Sequence, residues 1–492
     1  MSSTDVASGD GIADRPSTQH VGRLSYDVLM HILSWLDDDY PSLYSCSLVN
    51  RVLRDAAAVY LYRSITYSPP LSPVLNLKQQ KQDDFEEGVF ASALLPHNAS
   101  LVRRLEVSGF LPTRPAPLSK FTSQLKVAVE CWPNIQSATF TPWRHGEDTF
   151  GDALMLLNSR SSLRHLVVKA TCLTAGNVAT LVQLRNLQSL SIGSPSRAIL
   201  QVLPEWLRQL QSTLRKLGLT ESCGSVTPGV LRSFLPYMHD ITSFTLGLSY
   251  SLTDDDVFLF WEDLPSLQTL EFRYYLQMRP VGTPRLSHLR CLTVYCNHVK
   301  TSGDAAYLYK WVRRVITYAP LVSLRILCRR EPWGAAPSFD PLLEHLIARH
   351  AQRLRVLDIR EFLVGKKALS KLCDKCTQLE TLFVTVSCDA LKEFQSDPTV
   401  FRSLRQLGLN TRTSKSRRSI STTAAEAFMK RLPSLRRLVV NGSCFEGTWA
   451  ADMSEAATYV VHPVDITVRL FPWERGTVYG QPSYERPLDW FT

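Results

Sequence analysis

The chain opens without the basic start and apolar run that a secretory signal needs: its first 20 residues, MSSTDVASGDGIADRPSTQH, are small, polar and partly acidic. No export is implied. No apolar run of membrane-spanning length occurs either, since charges or prolines recur inside every hydrophobic segment, which argues against a membrane partner. The eleven cysteines are an odd number spread thinly along the chain, unlike a small disulfide-stapled scaffold, so reduced thiols in the cytosol or nucleus are expected. Without export, the glycosylation sequons at Asn98 and Asn441 carry no weight.

Catalytic signatures are missing as well. There is no G-x-x-x-x-G-K-[ST], no G-x-S-x-G, no H-E-x-x-H and no G-x-G-x-x-G between a strand and a helix, which removes the common phosphate-binding, serine-hydrolase, zinc-protease and dinucleotide readings. Cys373-x-x-Cys376 has no second such pair at zinc-finger spacing and sits in the helical stretch LSKLCDKCTQLETL, where buried cysteine is ordinary. The histidines are scattered. The expectation is a chain with no catalytic residue, no metal and no cofactor, and no recognised nucleic-acid module is visible.

What is present is repetition. An apolar hexad L-x-x-L-x-L recurs thirteen times, in SLVRRLEV, NIQSATF, SLRHLVV, NLQSLSI, TLRKLGL, DITSFTL, SLQTLEF, HLRCLTV, LVSLRIL, RLRVLDI, QLETLFV, SLRQLGL and SLRRLVV. Twelve steps separate Leu101 from Leu435, about 28 residues each, within the leucine-rich-repeat range. In Leu187-x-x-Leu190-x-Ile192 the last two apolar residues alternate as a short strand requires, with Ser189 and Ser191 on the other face. Helical stretches such as PEWLRQLQS, DVFLFWEDLP, PLLEHLIARH and AAEAFMKRLP lie between hexads. One strand-turn-helix unit cannot bury its apolar face alone, but stacked units share a continuous core. The chain resembles leucine-rich-repeat proteins over residues 83–445, which implies an α/β horseshoe solenoid, parallel strands on the concave face and helices outside. The tail 446–492, rich in aromatics and proline, breaks the rhythm and is read as its carboxy-terminal cap.

Residues between and just after the inward apolar positions project from the strand face. From the seventh to the eleventh unit these include Arg273, Tyr275, Tyr295, Arg325, Arg329, Arg360, Phe362 and Phe383, whereas earlier units show mainly Ser, Thr and Gly. Arginine with aromatics is hot-spot composition, and guanidinium forks suit carboxylate or phosphate. These eight are the candidate contacts for an acidic or phosphorylated protein substrate, a preference shared by the net charge of +10. The basic insertion TRTSKSRRSIST, residues 411–422, reads as a solvated loop.

LSYDVLMHILSWLDDD, residues 24–39, is a strongly amphipathic helix: Leu24, Val28, Leu29, Ile32, Leu33 and Leu36 gather on one side. Ser25 is placed to cap it. Two short helical segments follow, Pro41–Arg51 and Val52–Tyr62, making a bundle so small that its own core is marginal. This stretch resembles an F-box of fungal type: Leu24, Asp27, Leu29, Ile32 and Leu33 match the L-P-x-E-L-x-x-I-L opening, and Val49 and Arg51 match the later V-C-R-x-W segment. Ser25 stands where the family has proline, Asn50 where it has cysteine or serine, and Leu53 where it has tryptophan. The resemblance implies a substrate-recognition subunit of a cullin-RING (SCF-type) ubiquitin ligase. Leu24, Ser25, Val28, Leu29, Ile32, Leu33, Leu48, Val49 and Leu53 would dock on a generally acidic Skp-type adaptor and through it a cullin, and the repeats would hold the substrate. The implied organisation is a tail (1–22), F-box (23–66), linker (67–82), solenoid (83–445) and cap (446–492). Two rivals remain open, an interaction scaffold unrelated to ubiquitin and a nucleic-acid-binding solenoid.

Overall fold

The computed structural model describes residues 24–37, 39–68, 90–111, 118–144, 149–275, 282–296, 299, 301–328, 337–411, 420–432, 434–451 and 457–464. Two compact units result, Met1–Arg63 and Ser64–Thr492.

The first unit holds three helices, α1 (Tyr26–Ser34), α2 (Tyr40–Ser47) and α3 (Arg51–Leu61). Each starts where the sequence supplies a side-chain acceptor: Ser25 takes a hydrogen bond from the Val28 amide, Asp39 from Ser42 and Asn50 from Leu53, satisfying backbone N–H groups that lack helical partners. Among its described residues only Leu33, Leu43, Ala56 and Ala57 are fully buried, with Met30, Leu36, Cys46, Tyr60 and Leu61 packed around them. The Tyr60 hydroxyl donates to the Met30 carbonyl at 2.7 Å, and Arg63 pairs with Asp37 at 3.5 Å.

The second unit is built on one open sheet of sixteen strands among the described residues, ordered as in the sequence. They are β1 (Ser64–Tyr67), β2 (Arg104–Phe110), β3 (Ser137–Arg144), β4 (His165–Lys169), β5 (Ser189–Gly193), β6 (Lys216–Ser222), β7 (Ser243–Leu248) and β8 (Thr269–Tyr274). Then follow β9 (Cys291–Cys296), β10 (Ser323–Cys328), β11 (Val356–Leu363), β12 (Thr381–Val386), β13 (Gln406–Thr411), β14 (Arg437–Val440), β15 (Ser443–Ala451) and β16 (Ala457–Val464). Neighbours pair in parallel as far as β14, and β15 and β16 fold back antiparallel. The thirteen hexads are β2 to β14 in order. The sheet starts earlier than the hexads suggest, because Ser64–Tyr67, which the sequence assigns to the end of the bundle and the linker, pairs with Arg104–Val107 as β1. At the other end the β15–β16 hairpin covers β14. The rest of the linker after Ser68, residues 412–419 of the basic insertion and the tail from 465 lie outside the described residues.

A shared backbone pattern sets the stacking. From β2 to β13 the carbonyl of the residue just ahead of the strand accepts two N–H groups from the next repeat: Gln136 and Ser137 donate to Arg103 at 2.7 and 3.1 Å, Arg164 and His165 to Gln136, Gln188 and Ser189 to Arg164, and so on to Arg436 and Arg437, which donate to Arg405. Several arginines at this position also tie down the turn before the strand, as Arg103 does on the Ser100 carbonyl at 2.7 Å and Arg164 on the Ser161 carbonyl at 2.7 Å. The register that results lines up the middle leucines, from Leu105 through Leu166, Leu217, Leu270 and Leu324 to Leu382 and Leu438, all buried. Each such burial is worth about 1.5–3 kcal/mol.

Helices follow most strands, including Arg197–Leu210, Asp254–Glu262, Ser302–Ile316 and Asp340–His350, and several begin at Thr or Ser caps, with full capping boxes at Thr253/Asp256 and Thr301/Asp304. Trp132 and Trp206 are buried and reach back one unit. The Trp132 indole donates to the Ala93 carbonyl at 2.9 Å and Trp206 to that of Leu184 at 3.0 Å. Trp311 donates instead to a carboxylate, Asp254 Oδ1, at 2.6 Å. Asp254 is buried and its second oxygen has no partner among the described residues. Burial pushes this carboxyl up to about 6, Asp255 adding to the effect while the Trp311 hydrogen bond and Arg314 oppose it.

A carboxyl raised on folding contributes stability below the ordinary carboxylate range and loses it as pH climbs through about 6. Asp254→Asn keeps an acceptor for Trp311 and removes the buried charge. The substitution is expected to stabilise the protein by about 1–3 kcal/mol at pH 7.5, with the gain gone near pH 4, read as Tm against pH for both proteins.

Candidate interaction surfaces

On the bundle, Val28 and Ile32 stand four residues apart along α1 and share one helical side, and both are exposed, as is Leu24 just ahead of the Ser25 cap. Leu48, Val49 and Val52 are exposed at the turn from α2 into α3, Leu48 and Val49 at 70% and 68%. Ser25 is exposed and serves as the cap of α1, while Leu29 and Leu53 are half-buried. Leu33 departs from the expectation: it is 2% exposed and forms the bundle's own core with Leu43, Ala56 and Ala57, so it is not a surface contact. The helical stripe is wide enough to serve both an inner and an outer face, and spacing alone does not divide them. Sequence reasoning also passed over Tyr26, Tyr44 and Trp35, the last 80% exposed, although Trp35 lies three residues beyond Ile32 on the same helical side.

The open face of the sheet carries outward residues in rows set by the register. Arg273 lies opposite Tyr295 on β8 and β9, and Arg325 lies between Thr293 and Asp358. Tyr275 follows β8 with its ring 5.0 Å from that of Tyr250, edge to face. Arg360 is engaged within its own strand, its Nε donating to Asp358 Oδ1 at 2.9 Å and its Nη2 to Oδ2. Burial works against its charge, but Asp358 and then Glu361 hold its pKa above the usual arginine value. Its guanidinium also covers the Phe383 ring, 4.8 Å from the centroid.

Two of the eight expected contacts are buried. Phe383 is 3% exposed, lying between Arg360 and Gly408 on the neighbouring strand, where an added Cβ would run into the ring. Phe362 is buried and stacked on Phe339 at 3.7 Å, within the stretch between Ile359 and Leu363 where the register of β11 on β12 is broken and strict alternation no longer holds. Arg329 lies outside the described residues. The structure thus brings Arg273, Tyr275, Tyr295 and Arg325 to the open face of β8–β10 and keeps Phe362 and Phe383 from solvent.

A second row on this face was missed. Arg104, His165 and Lys216 occupy one register line on β2, β4 and β6, separated by Ser137 on β3 and Ser189 on β5. All three basic residues are exposed. Their signal lies in the residue just before the second leucine of each hexad, outside the positions weighed from the sequence.

Cys373 and Cys376 are both buried. Burial pushes the Cys373 thiol up to about 12 and that of Cys376 up to about 11, which suppresses the thiolate needed for nucleophilic or metal chemistry. Among the described residues no group of three His, Cys, Asp or Glu is gathered to hold a metal ion, and no helix is long and apolar enough to cross a membrane. Cys296 and Cys328 are joined in a disulfide, contrary to the expectation of reduced thiols throughout: the register places them opposite each other on β9 and β10 with Cα atoms 4.8 Å apart, within bridging range.

Fold and surfaces together define a leucine-rich-repeat solenoid preceded by a three-helix bundle. No protein-family model and no curated protein matches the chain. Among solved structures it is similar to the yeast Rad7–Elc1 complex, at 14% identity and TM-score 0.42 over 80% of this chain and 94% of that one. It is also similar to the TLR13–ssRNA13 complex, at 16% identity and TM-score 0.34 over 69% of this chain and 47% of that one. At these scores the likeness carries no weight for function.

Gly408→Ala places a methyl where the Phe383 ring lies. A loss of about 1–3 kcal/mol is expected from overpacking, measured by urea unfolding, and Gly408→Ala with Phe383→Leu should recover part of it.

Proposed function

We propose that the protein is the substrate-recognition subunit of a cullin-RING (SCF-type) ubiquitin ligase, its bundle docking on a Skp-type adaptor and its solenoid holding a protein substrate. One observation carries the reading. Of the seventeen large apolar side chains exposed among the described residues, nine fall between Leu24 and Val52. A domain with four fully buried residues gains little from its own core, so these side chains are better placed to stabilise a complex than the isolated bundle. Covering several of them, at about 1.5–3 kcal/mol each before association costs, supports a stable assembly. Tyr26, Trp35 and Tyr44 add the aromatic anchors typical of binding hot spots. The F-box resemblance of the same residues supplies the class of partner.

In this reading the chain does no bond chemistry. It holds the substrate near the ubiquitin carrier and so raises effective concentration. Arg273, Tyr275, Tyr295 and Arg325 on β8–β10 are the substrate contacts proposed here, suited to an acidic or phosphorylated segment.

Purified full-length protein is expected to form a stoichiometric complex with a recombinant Skp-type adaptor on size exclusion. Leu24→Ala with Ile32→Ala and Val49→Ala should weaken it at least tenfold, while Arg325→Glu leaves it unchanged and reduces substrate capture. Failure of the unmodified protein to bind any such adaptor would overturn the reading and leave the scaffold alternative.

A further inference from the structure

The first units of the solenoid alternate in a way their hexads already spell out. The two residues between the first and second leucine positions are Arg103-Arg104, Gln136-Ser137, Arg164-His165, Gln188-Ser189 and Arg215-Lys216, dibasic and Gln-Ser in turn. The structure separates the work within each pair. The first residue belongs to the backbone ladder, and the side chains of Arg103, Arg164 and Arg215 are spent on carbonyls of the preceding turn. The second faces out from the sheet. Arg104, His165 and Lys216 therefore share one line across the open face, with half-buried Ser137 and Ser189 between them.

Among the described residues none of the three basic side chains of this line makes an ion pair or a hydrogen bond. His165 has its pKa lowered, by burial first and then by the charges of Lys216, Arg104 and Arg164, so at neutral pH it is an uncharged hydrogen-bonding ring between the cations Arg104 and Lys216. The next outward row over the same strands reads Glu106, Thr139, Val167, Ser191 and Gly218; its one carboxylate, Glu106, stands two residues from Arg104 on β2, accepts from Ser108 and makes no ion pair with Arg104. The Lys169–Glu221 pair beyond it is closed at 2.6 Å.

The spacing selects the ligand. Strands stand about 4.8 Å apart, so groups on alternate strands are about 9.6 Å apart. A polyproline-II chain repeats every three residues with about 3.1 Å rise, returning a side chain to the same side every 9.3 Å or so. We propose that this strip seats an extended acidic protein segment, one carboxylate per polyproline-II turn on Arg104, His165 and Lys216, with the serine hydroxyls between them hydrogen-bonding its backbone. A single nucleic-acid strand fits less well: such sites interleave cations with exposed aromatic rings for base stacking, and the line holds serines instead. The surface lies on β2–β6, apart from the β8–β10 patch, and does not depend on what the bundle binds.

The test uses the full-length chain and fluorescence anisotropy with a labelled (Glu-Pro-Pro)5 peptide. Three controls accompany it: a peptide of the same composition with its glutamates contiguous, a (Lys-Pro-Pro)5 peptide, and a fifteen-residue oligothymidylate. Binding of the first peptide at least fivefold tighter than any control is expected, with a tenfold or greater loss in Arg104→Ser with Lys216→Ser, a variant that changes exposed groups only and should keep its Tm and its adaptor complex. Equal affinity for the two glutamate peptides, tighter binding of the oligonucleotide, or an unchanged affinity in the double variant would each overturn the proposal.

Discussion

The second unit depends on one backbone arrangement: a carbonyl at the mouth of each strand that accepts two N–H groups from the following repeat, handed on from Arg103 to Arg405. Because both donors are consecutive residues entering the next strand, the register cannot slip by one position without losing the pair, and a one-residue slip would turn every leucine outward. The arrangement therefore enforces hydrophobic burial on one face and, as a necessary consequence, aligned rows of side chains on the other. Variable helix lengths and loops between strands leave it untouched, which is why units of 22 to 34 residues stack in one sheet.

The bundle works on the opposite principle. Its three caps and a four-residue core define helices but bury little, and its exposed apolar residues are concentrated in under thirty positions. A domain of this size gains stability from a partner as readily as from itself. In the solenoid the apolar surface is shared among neighbours instead, and its ends are managed by added strands, β1 at one end and the β15–β16 hairpin at the other. An antiparallel hairpin is a cheap terminator for a parallel sheet because it needs no crossover helix.

The hexad pattern located thirteen of the strands, β2 to β14, and the amphipathic stripe of the opening helix located the cap at Ser25. It did not reveal β1, whose SITY segment lacks the leading leucines, or the hairpin strands, whose alternation includes glycine, tryptophan and proline. Among surface residues the errors share a cause. Leu33 sits in the same helical stripe as Ile32 and differs only in which neighbour approaches it. Phe383 faces the open side as alternation requires, yet Gly408 gives it a place to lie and Arg360 closes over it. The line of Arg104, His165 and Lys216 was written in the hexads but became a feature only once residues 61 and 51 positions apart were set side by side.

The amino-acid order by itself determined the class of fold, the number and place of most repeats and the amphipathic character of the opening helix. These follow from periods of two and 3.6, which are local properties of a chain. Tertiary structure alone decided which outward side chains meet solvent, that Arg360 is held by Asp358, that Cys296 faces Cys328 and that the basic residues of alternate strands form a line. Each of these depends on lateral neighbours fixed by the strand register, and the register comes from hydrogen bonds between repeats rather than within them.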